Sequence, residues 1–379
     1  MTPPRNTLSN LKLPALALTA LTLTVLLHAL APRSAVAQDW IVLEGILDVE
    51  GWSTDDASRL LTRNDGRPLG SSTLTMWTAL RLHAKLQLMA LGEVEGEIGA
   101  GAFRDAEVGI HQLALRFSAS PTLLVEAGKI LPPVGIYAGR RLSITNPVIG
   151  APDSYHVNYP WGVVVTGRWG RLDYRTGMVS KPIVHERYLP PPTDRLRPAV
   201  GAGVTLATGF RVGGSFTRGS YLNRDMSSAI PDVAAWSSFN QRIIAFDTRF
   251  ARGHSEVRAE FSLSSYDVPT IDDAVSGKTG YVEFKRTWTP RFFTAFRFEG
   301  NDYPLVKLRD TGKWIGKAVL FWNAEASIGY RFSRDSLLKV SYRGDRWENP
   351  ERNGKAFAFQ FSHQFDVMRW LDQRMMGSG

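Results

Sequence analysis

The chain has 379 residues, no cysteine, 44% apolar residues, and 45 Lys+Arg against 36 Asp+Glu, a formal net charge of +9. That length and apolar share exclude wholesale disorder. The missing thiol excludes disulfide frameworks, cysteine-ligated zinc, iron–sulfur clusters, cysteine nucleophiles and a lipidated cysteine.

Residues 1–37 read as an export address. Arg5 and Lys12 flank the start of an apolar run, Leu13 to Leu30, and Ala35-Val36-Ala37 closes it in an A-x-A pattern. Basic, apolar and small-residue regions in that order make a secretory signal peptide, with cleavage expected after Ala37. An uncleaved anchor helix is the rival, because the run approaches the shortest length that spans a bilayer. Removing 1–37 takes three basic residues and no acid, which leaves 42 basic against 36 acidic residues, or +6.

From residue 38 the sequence is read in twos. Strands are expected over 39–51, 73–89, 91–99, 107–117 and 121–130. The alternation is cleanest at Leu80-Arg81-Leu82-His83-Ala84-Lys85-Leu86-Gln87-Leu88, where every even position is apolar. Beyond residue 160, Val257, Ala259, Phe261 and Leu263 alternate with Glu256, Arg258, Glu260 and Ser262. Phe296 and Phe298 flank Arg297, and Leu320 to Phe332 alternates against Asn323, Glu325, Ser327 and Arg331. Tight turns are expected at Trp169-Gly170, Thr208-Gly209, Ala251-Arg252-Gly253, Thr289-Pro290 and Ser333-Arg334-Asp335. Between them lie long polar segments, 180–198, 218–240, 266–278, 300–317 and 344–354. Short turns at one end and long loops at the other predict an all-β fold: a transmembrane antiparallel up-and-down barrel of about sixteen strands over 38–366. The turns would be periplasmic and the loops extracellular. Closure answers an energetic demand, because an unpaired backbone N–H or C=O in hydrocarbon costs several kcal/mol. Aromatic girdles are expected from Trp169, Tyr174, Trp288, Phe292, Phe293, Tyr330 and Phe332 at the turn end, and from Trp161, Tyr221, Tyr266, Tyr281 and Trp314 at the loop end.

Two motifs carry resemblances. Glu126-Ala127-Gly128-Lys129-Ile130-Leu131-Pro132-Pro133-Val134-Gly135 resembles the Gly-x-x-x-x-Pro-x-Gly strand exit of phosphate-selective-type porins, with Val134 where that family usually has an aromatic. Arg352-Asn353-Gly354-Lys355-Ala356-Phe357-Ala358-Phe359 resembles the assembly signal of Gram-negative outer-membrane β-barrels, carried by Gly354, Phe357 and Phe359. Such signals usually end the chain, whereas here a tail, 367–379, continues and is read as a short interfacial helix or a frayed end. The resemblance implies a porin in the cell outer membrane, inserted by the barrel-assembly machinery, surrounded by lipid and lipopolysaccharide, and trimeric.

The longest stretch without period-two signal is 131–160. It is too aromatic and apolar for a solvated linker, and is nominated as a constriction or plug loop, with Arg140, Arg141, Asp153 and His156 as selectivity groups. The rival is an outward cap. Polar faces of the strands place Arg81, Lys85, Arg116, Arg175, Arg249, Arg258, Arg297, Arg331, Lys339 and Arg343 in the lumen, against Asp173, Asp247, Glu256, Glu260, Glu299 and Glu325. That excess favours passage of anionic or other small hydrophilic solutes. No cofactor or metal is expected, and no catalytic residue is assigned. The histidines are scattered, His185-Glu186 reads as a loop dipeptide, and neither H-E-x-x-H nor G-x-S-x-G is present. Ser276-Gly277-Lys278-Thr279 imitates a phosphate loop, but Asp272 occupies the first glycine position. Basic residues form no tract, so nucleic acid is discounted. A closed barrel acting as enzyme, adhesin or structural partner is the alternative function, and a secreted soluble β-protein is the third.

Overall fold

The computed structural model describes residues 40–55, 69–99, 102–152, 159–180, 195–220, 238–267, 274–303, 306–307, 314–315, 319–348 and 350–370. The chain divides into two units, Met1–Ile41 and Val42–Gly379. Of the first, only Trp40 and Ile41 are described, so the signal-peptide expectation lies outside the described residues.

The second unit is a closed antiparallel barrel of sixteen strands. Its first half comprises β1 (Ile41–Thr54), β2 (Leu69–His83), β3 (Leu86–Gly99), β4 (Ala102–Ser120), β5 (Leu123–Lys129), β6 (Trp161–Trp169), β7 (Leu172–Ser180) and β8 (Leu196–Ala207). The second half comprises β9 (Phe210–Ser220), β10 (Asn240–Arg252), β11 (Ser255–Tyr266), β12 (Val275–Thr287), β13 (Phe292–Tyr303), β16 (Val319–Arg331), β17 (Ser336–Trp347) and β18 (Gly354–Asp366). A two-stranded ribbon, β14 (Val306–Lys307) with β15 (Trp314–Ile315), stands apart in the connection from β13 to β16. Every barrel strand pairs with its chain neighbour, and β18 returns to β1 in the register Asp48↔Ser362 and Val49↔Phe361. No sheet edge is left, which is what hydrocarbon requires of a β-structure.

Turns at one end are short: 84–85, 121–122, 170–171, 208–209, 253–254, 288–291 and 332–335. Gly170 and Gly253 take φ of 58° and 57°, a left-handed turn geometry that is free of strain only without a Cβ. Connections at the other end are long, except residues 100–101 between β3 and β4. The expected single strand over 73–89 is corrected: Ala84-Lys85 turns the chain inside it, and Leu80 of β2 pairs with Leu88 of β3.

Alternation sorts the side chains into two surfaces. Phe246, Phe261, Phe296, Phe298, Trp322, Phe357 and Phe359 are exposed outward, whereas Asp247, Glu260, Arg297, Glu299, Asn323 and Gln360 between them are buried inward. Phe357 and Phe359, with Gly354, lie on the last barrel strand. Trp169 is 81% exposed beside its turn, with Trp288, Tyr330 and Phe332 at the same end. Three expected girdle members face inward instead, Tyr266 among them, opposite the buried Gln241. Phe293 lies over Gly329 and beneath the Lys285 ammonium, and Tyr281 donates to Glu260 Oε1 at 2.8 Å. All three have inward parity, so strand phase overrides aromatic type. Residues 367–370 of the tail are helical.

Because the outer face meets hydrocarbon, Phe296→Lys is expected to destabilise the folded barrel by about 2–4 kcal/mol. Urea titration of folding into vesicles, read by gel mobility, checks it. An unchanged midpoint would mean that this face is wet.

Candidate functional site

The site begins where β5 stops early. β5 has only seven residues, and after it the chain turns into the barrel. Ile130 joins Ala114, Val164, Val179 and Ala199 in a buried apolar cluster, with Val134 packed against it. These are inward positions of β4 and β6–β8, so a small patch of the lumen wall is apolar, and the entering segment covers it.

Beyond this patch, side chains from all round the barrel hold the segment by its backbone. Gly135 N donates to Ser215 Oγ at 3.1 Å, and its carbonyl accepts from Arg175 at 2.7 Å. Ile136 N donates to Glu260 Oε2 at 3.0 Å. A 3-10 turn follows, Tyr137–Arg140, with the Tyr137 ring edge-on to Tyr281 at 5.8 Å. Arg331 donates to the Ile144 carbonyl at 3.1 Å, and Arg297 to the Gly150 carbonyl at 3.1 Å. Ile149 N donates to Glu325 at 3.1 Å. The densest contact is Lys339, whose Nζ donates to the carbonyls of Ser143 at 2.9 Å and of Asn146 and Val148 at 3.0 Å each. Irregular backbone carries unpaired donors and acceptors, and these ring contacts satisfy them away from bulk water. With Glu93 on β3, polar contacts from β3, β7, β9, β11, β12, β13, β16 and β17 reach the segment, in addition to the apolar contacts with β4, β6 and β8. The outward-cap rival fails for residues 130–152.

Arg140 and Arg141 lie on the inserted segment, and both are engaged by carboxylates. Arg140 is 4% exposed; it pairs with Glu283 at 2.8 Å and Glu256 at 3.3 Å, and its Nε donates to the Thr145 carbonyl at 3.1 Å. Arg141 pairs with Glu93, donates to Tyr159 Oη at 2.6 Å and lies over the Tyr159 ring. His111 Nε2 approaches Glu93 at 3.3 Å. Burial pushes the Tyr137 and Tyr159 hydroxyls above the ordinary phenol range, so both remain protonated. Asp153 and His156 lie outside the described residues.

Of the expected lumen residues, Arg249, Arg258, Glu260, Arg297, Glu325 and Arg331 face inward. Arg81 is exposed near the turn end of β2. Lys85 is not on the wall: it sits in the β2–β3 turn and reaches the Ala119 carbonyl at 3.4 Å. Strand register lines up one belt, Arg211↔Arg249↔Arg258↔Glu283↔Arg297↔Glu325↔Arg343. From β11 to β17 the signs alternate, and Arg297, with no exposed surface, pairs with Glu325 at 2.8 Å. From β9 to β11 three guanidinium groups are neighbours. Arg211 is engaged by Asp173 at 2.7 Å and by Asp247, and Arg258 by Glu256 at 2.5 Å. Arg249 Nε is buried without a hydrogen-bond acceptor, and Arg258, Arg211, Asp247 and Arg175 are its charged neighbours. Arg175, Arg211, Arg249 and Arg258 all keep partial exposure, unlike the sealed β12–β17 wall. Sequence reasoning passed over Glu283 and Glu93. The alternation Val282-Glu283-Phe284 and Gly92-Glu93-Val94 marks both as inward.

The Ser336 hydroxyl and His363 Nδ1 approach to 2.9 Å at the turn end, on exposed positions of paired strands. That is one hydrogen-bonded pair in open surroundings. A nucleophilic site needs in addition a group that orients the base and a cleft that holds substrate.

Known structures give the same architecture. An OmpF of Salmonella typhi, in complex with daunomycin, is similar at 13% identity over 86% of this chain and 97% of that chain, with a TM-score of 0.58. The fold is that of an outer-membrane porin. Outer-membrane expressed OmpT of Vibrio cholerae is similar at 9% identity, covering 86% and 97% of the two chains, with a TM-score of 0.53. A loop L8 deletion mutant of OmpT gives 11%, 86%, 99% and 0.50 in the same terms. At these identities the likeness is one of fold, and none of the three bears on the phosphate-selective type. No family model matches the sequence. No curated protein matches it either.

Proposed function

We propose that the protein is a porin-like channel of the cell outer membrane. It lets small hydrophilic solutes diffuse passively, with a preference for anions, and is not an enzyme. The supporting observation is the segment 130–152, folded inside the barrel and fastened across the β12–β17 wall, while the basic β7–β11 wall keeps accessible surface. A loop of that kind narrows a wide barrel without filling it, and charged groups at the narrowing set ion preference. The loop arginines are neutralised by Glu256, Glu283 and Glu93, so the preference is assigned to the wall cluster around Arg249.

In this reading the short turns face the periplasm and the long loops the exterior. Export through a signal peptide cleaved near Ala37, insertion by the barrel-assembly machinery with Gly354, Phe357 and Phe359 as its signal, and a homotrimeric assembly all belong to the proposal.

Purified, folded protein in planar bilayers tests it. Discrete current steps with a reversal potential on the anion side are expected. No steps would overturn the channel reading in favour of a closed barrel serving as enzyme, adhesin or structural partner.

A further inference from the structure

Four neighbouring strands, β7 to β10, carry the lumen-facing register row Asp173↔Gly203↔Gly213↔Asp247, two carboxylates with two glycines between them. Arg211 lies across it. Its Nε and Nη2 donate to Asp173 at 2.7 Å each, and its Nη1 donates to Asp247. A glycine inside a strand gives up packing and often marks a place where another group comes close to the backbone. Here that group is the guanidinium. A Cβ added to Gly203 would lie 2.0, 2.2 and 2.6 Å from Arg211 Nη2, Cζ and Nε, and one added to Gly213 would lie 2.8 Å from Nη1. Three bonded atoms at such similar distances set that Cβ position beneath the face of the guanidinium plane, not off its edge. The group therefore lies flat on the glycines, held at both ends, with its other face toward the lumen.

That face is left for a ligand. All three nitrogens already donate to carboxylates, and the Arg211 side chain keeps 16% exposure. Among the described residues no aromatic ring lies over it. Directly opposite on β10 stands Arg249, whose Nε is buried without an acceptor and which keeps partial exposure. Its other neighbour, Arg258, is taken by Glu256 at 2.5 Å. The inserted segment covers the next inward row, Gly201↔Ser215: the Pro133 carbonyl lies 2.6 Å from a Cβ position at Gly201, and Ser215 Oγ accepts from Gly135 N. The Arg211 face and Arg249 thus lie beside the narrowing, on its short-turn side.

We infer that the lumen holds a subsite for an aromatic monocarboxylate, with the ring stacked on the face of Arg211 and the carboxylate on Arg249. A planar, delocalised guanidinium stacks on an aromatic ring, and an ammonium has no such plane. A carboxylate supplies a charge-assisted acceptor for the guanidinium of Arg249. A saturated ring of the same size and charge would satisfy Arg249 and gain less from Arg211. The inference deepens the channel reading, on which it rests for the access of solutes to the lumen, by naming one class of solute.

Folded, full-length protein in detergent is titrated with benzoate, with cyclohexanecarboxylate as the saturated ring of equal charge, and with benzyl alcohol as the ring without charge. Binding is read by ligand-observed NMR, and folding by heat-modifiable mobility. Wild type is expected to bind benzoate about fivefold more tightly than cyclohexanecarboxylate and about tenfold more tightly than benzyl alcohol. Arg211→Lys keeps the charge and loses the plane, so the two acids should bind equally. Gly203→Ala, which lifts the plane off its floor, should also abolish the difference. Arg249→Gln should weaken both acids about tenfold and leave their ratio unchanged. Wild type that binds no benzoate, or binds the two acids equally, would overturn the subsite, as would a preference for benzoate that survives in folded Arg211→Lys or Gly203→Ala protein. Planar-bilayer recording separates the two claims. Current steps without ring preference in binding remove the subsite and leave the channel, whereas ring preference in a protein that passes no current keeps the subsite and removes the channel.

Discussion

Lys339→Met is expected to raise single-channel conductance and to make the current flicker. Lys339 is fully buried, and its ammonium holds three carbonyls of the lumen segment at once, those of Ser143, Asn146 and Val148. Methionine fills similar volume but donates nothing, so three acceptors lose their partner. The Asp48 and Glu50 carboxylates, both near the ammonium, lose their counter-charge as well. Removing one member of a buried charged network costs roughly 3–5 kcal/mol. That loss falls on the anchoring of the segment, since the barrel strands keep their backbone ladder. Single-channel recording at constant salt checks it. A conductance and noise level equal to wild type would mean that the other ring contacts hold the segment alone.

Arg249→Glu is expected to carry ion preference from anions toward cations, with a change in permeability ratio on the order of tenfold. Tenfold corresponds to about 1.4 kcal/mol, and a unit charge 4 Å from an ion contributes about 4 kcal/mol at an effective dielectric constant of 20. Replacing Arg249, whose Nε lacks an acceptor, by an anion changes two charges at that point. The reversal potential under a salt gradient reads it. Arg81→Glu, at the exposed turn end of β2, should move it far less, because free solution screens it. A reversal potential that responds to Arg81 and not to Arg249 would place the selective narrowing elsewhere.

Much of the barrel was legible because hydrocarbon outside and water or polar contacts inside impose opposite demands on successive residues. From β10 to β18 the phase of that alternation predicts each inward group, including Arg297 and Glu325. The misread strand at 73–89 has a specific cause. The two-residue turn pairs His83 with Leu86 and would by itself reverse the parity, but a register shift between Arg81 and His83 restores it, so Leu80 on β2 stays in phase with Leu88 on β3. Neither Ala84 nor Lys85 is a turn-favouring residue. The turn is therefore invisible to a period-two reading.

The lumen segment was legible as an exception to alternation and no further. Its path depends on contacts between residues distant in the chain, such as Arg140 with Glu283 and Lys339 with Val148. Arg140 and Arg141 were found by position, but their partners decide their role. Both anchor the loop, whereas Arg249, whose Nε is buried without an acceptor and which keeps partial exposure, lies on a strand that looked no different from its neighbours.

In the proposed channel residues 130–152 narrow a water-filled lumen, and a sequence without cysteine gives a clean background for testing this. Gly139 lies on that segment, exposed, with no neighbouring atom within 4 Å of the position a Cβ would take. Gly139→Cys protein, recorded in a planar bilayer while methanethiosulfonate reagents of increasing size are added, should lose current in steps that deepen with reagent size and recover on reduction. Current that ignores complete labelling of that thiol would contradict the account.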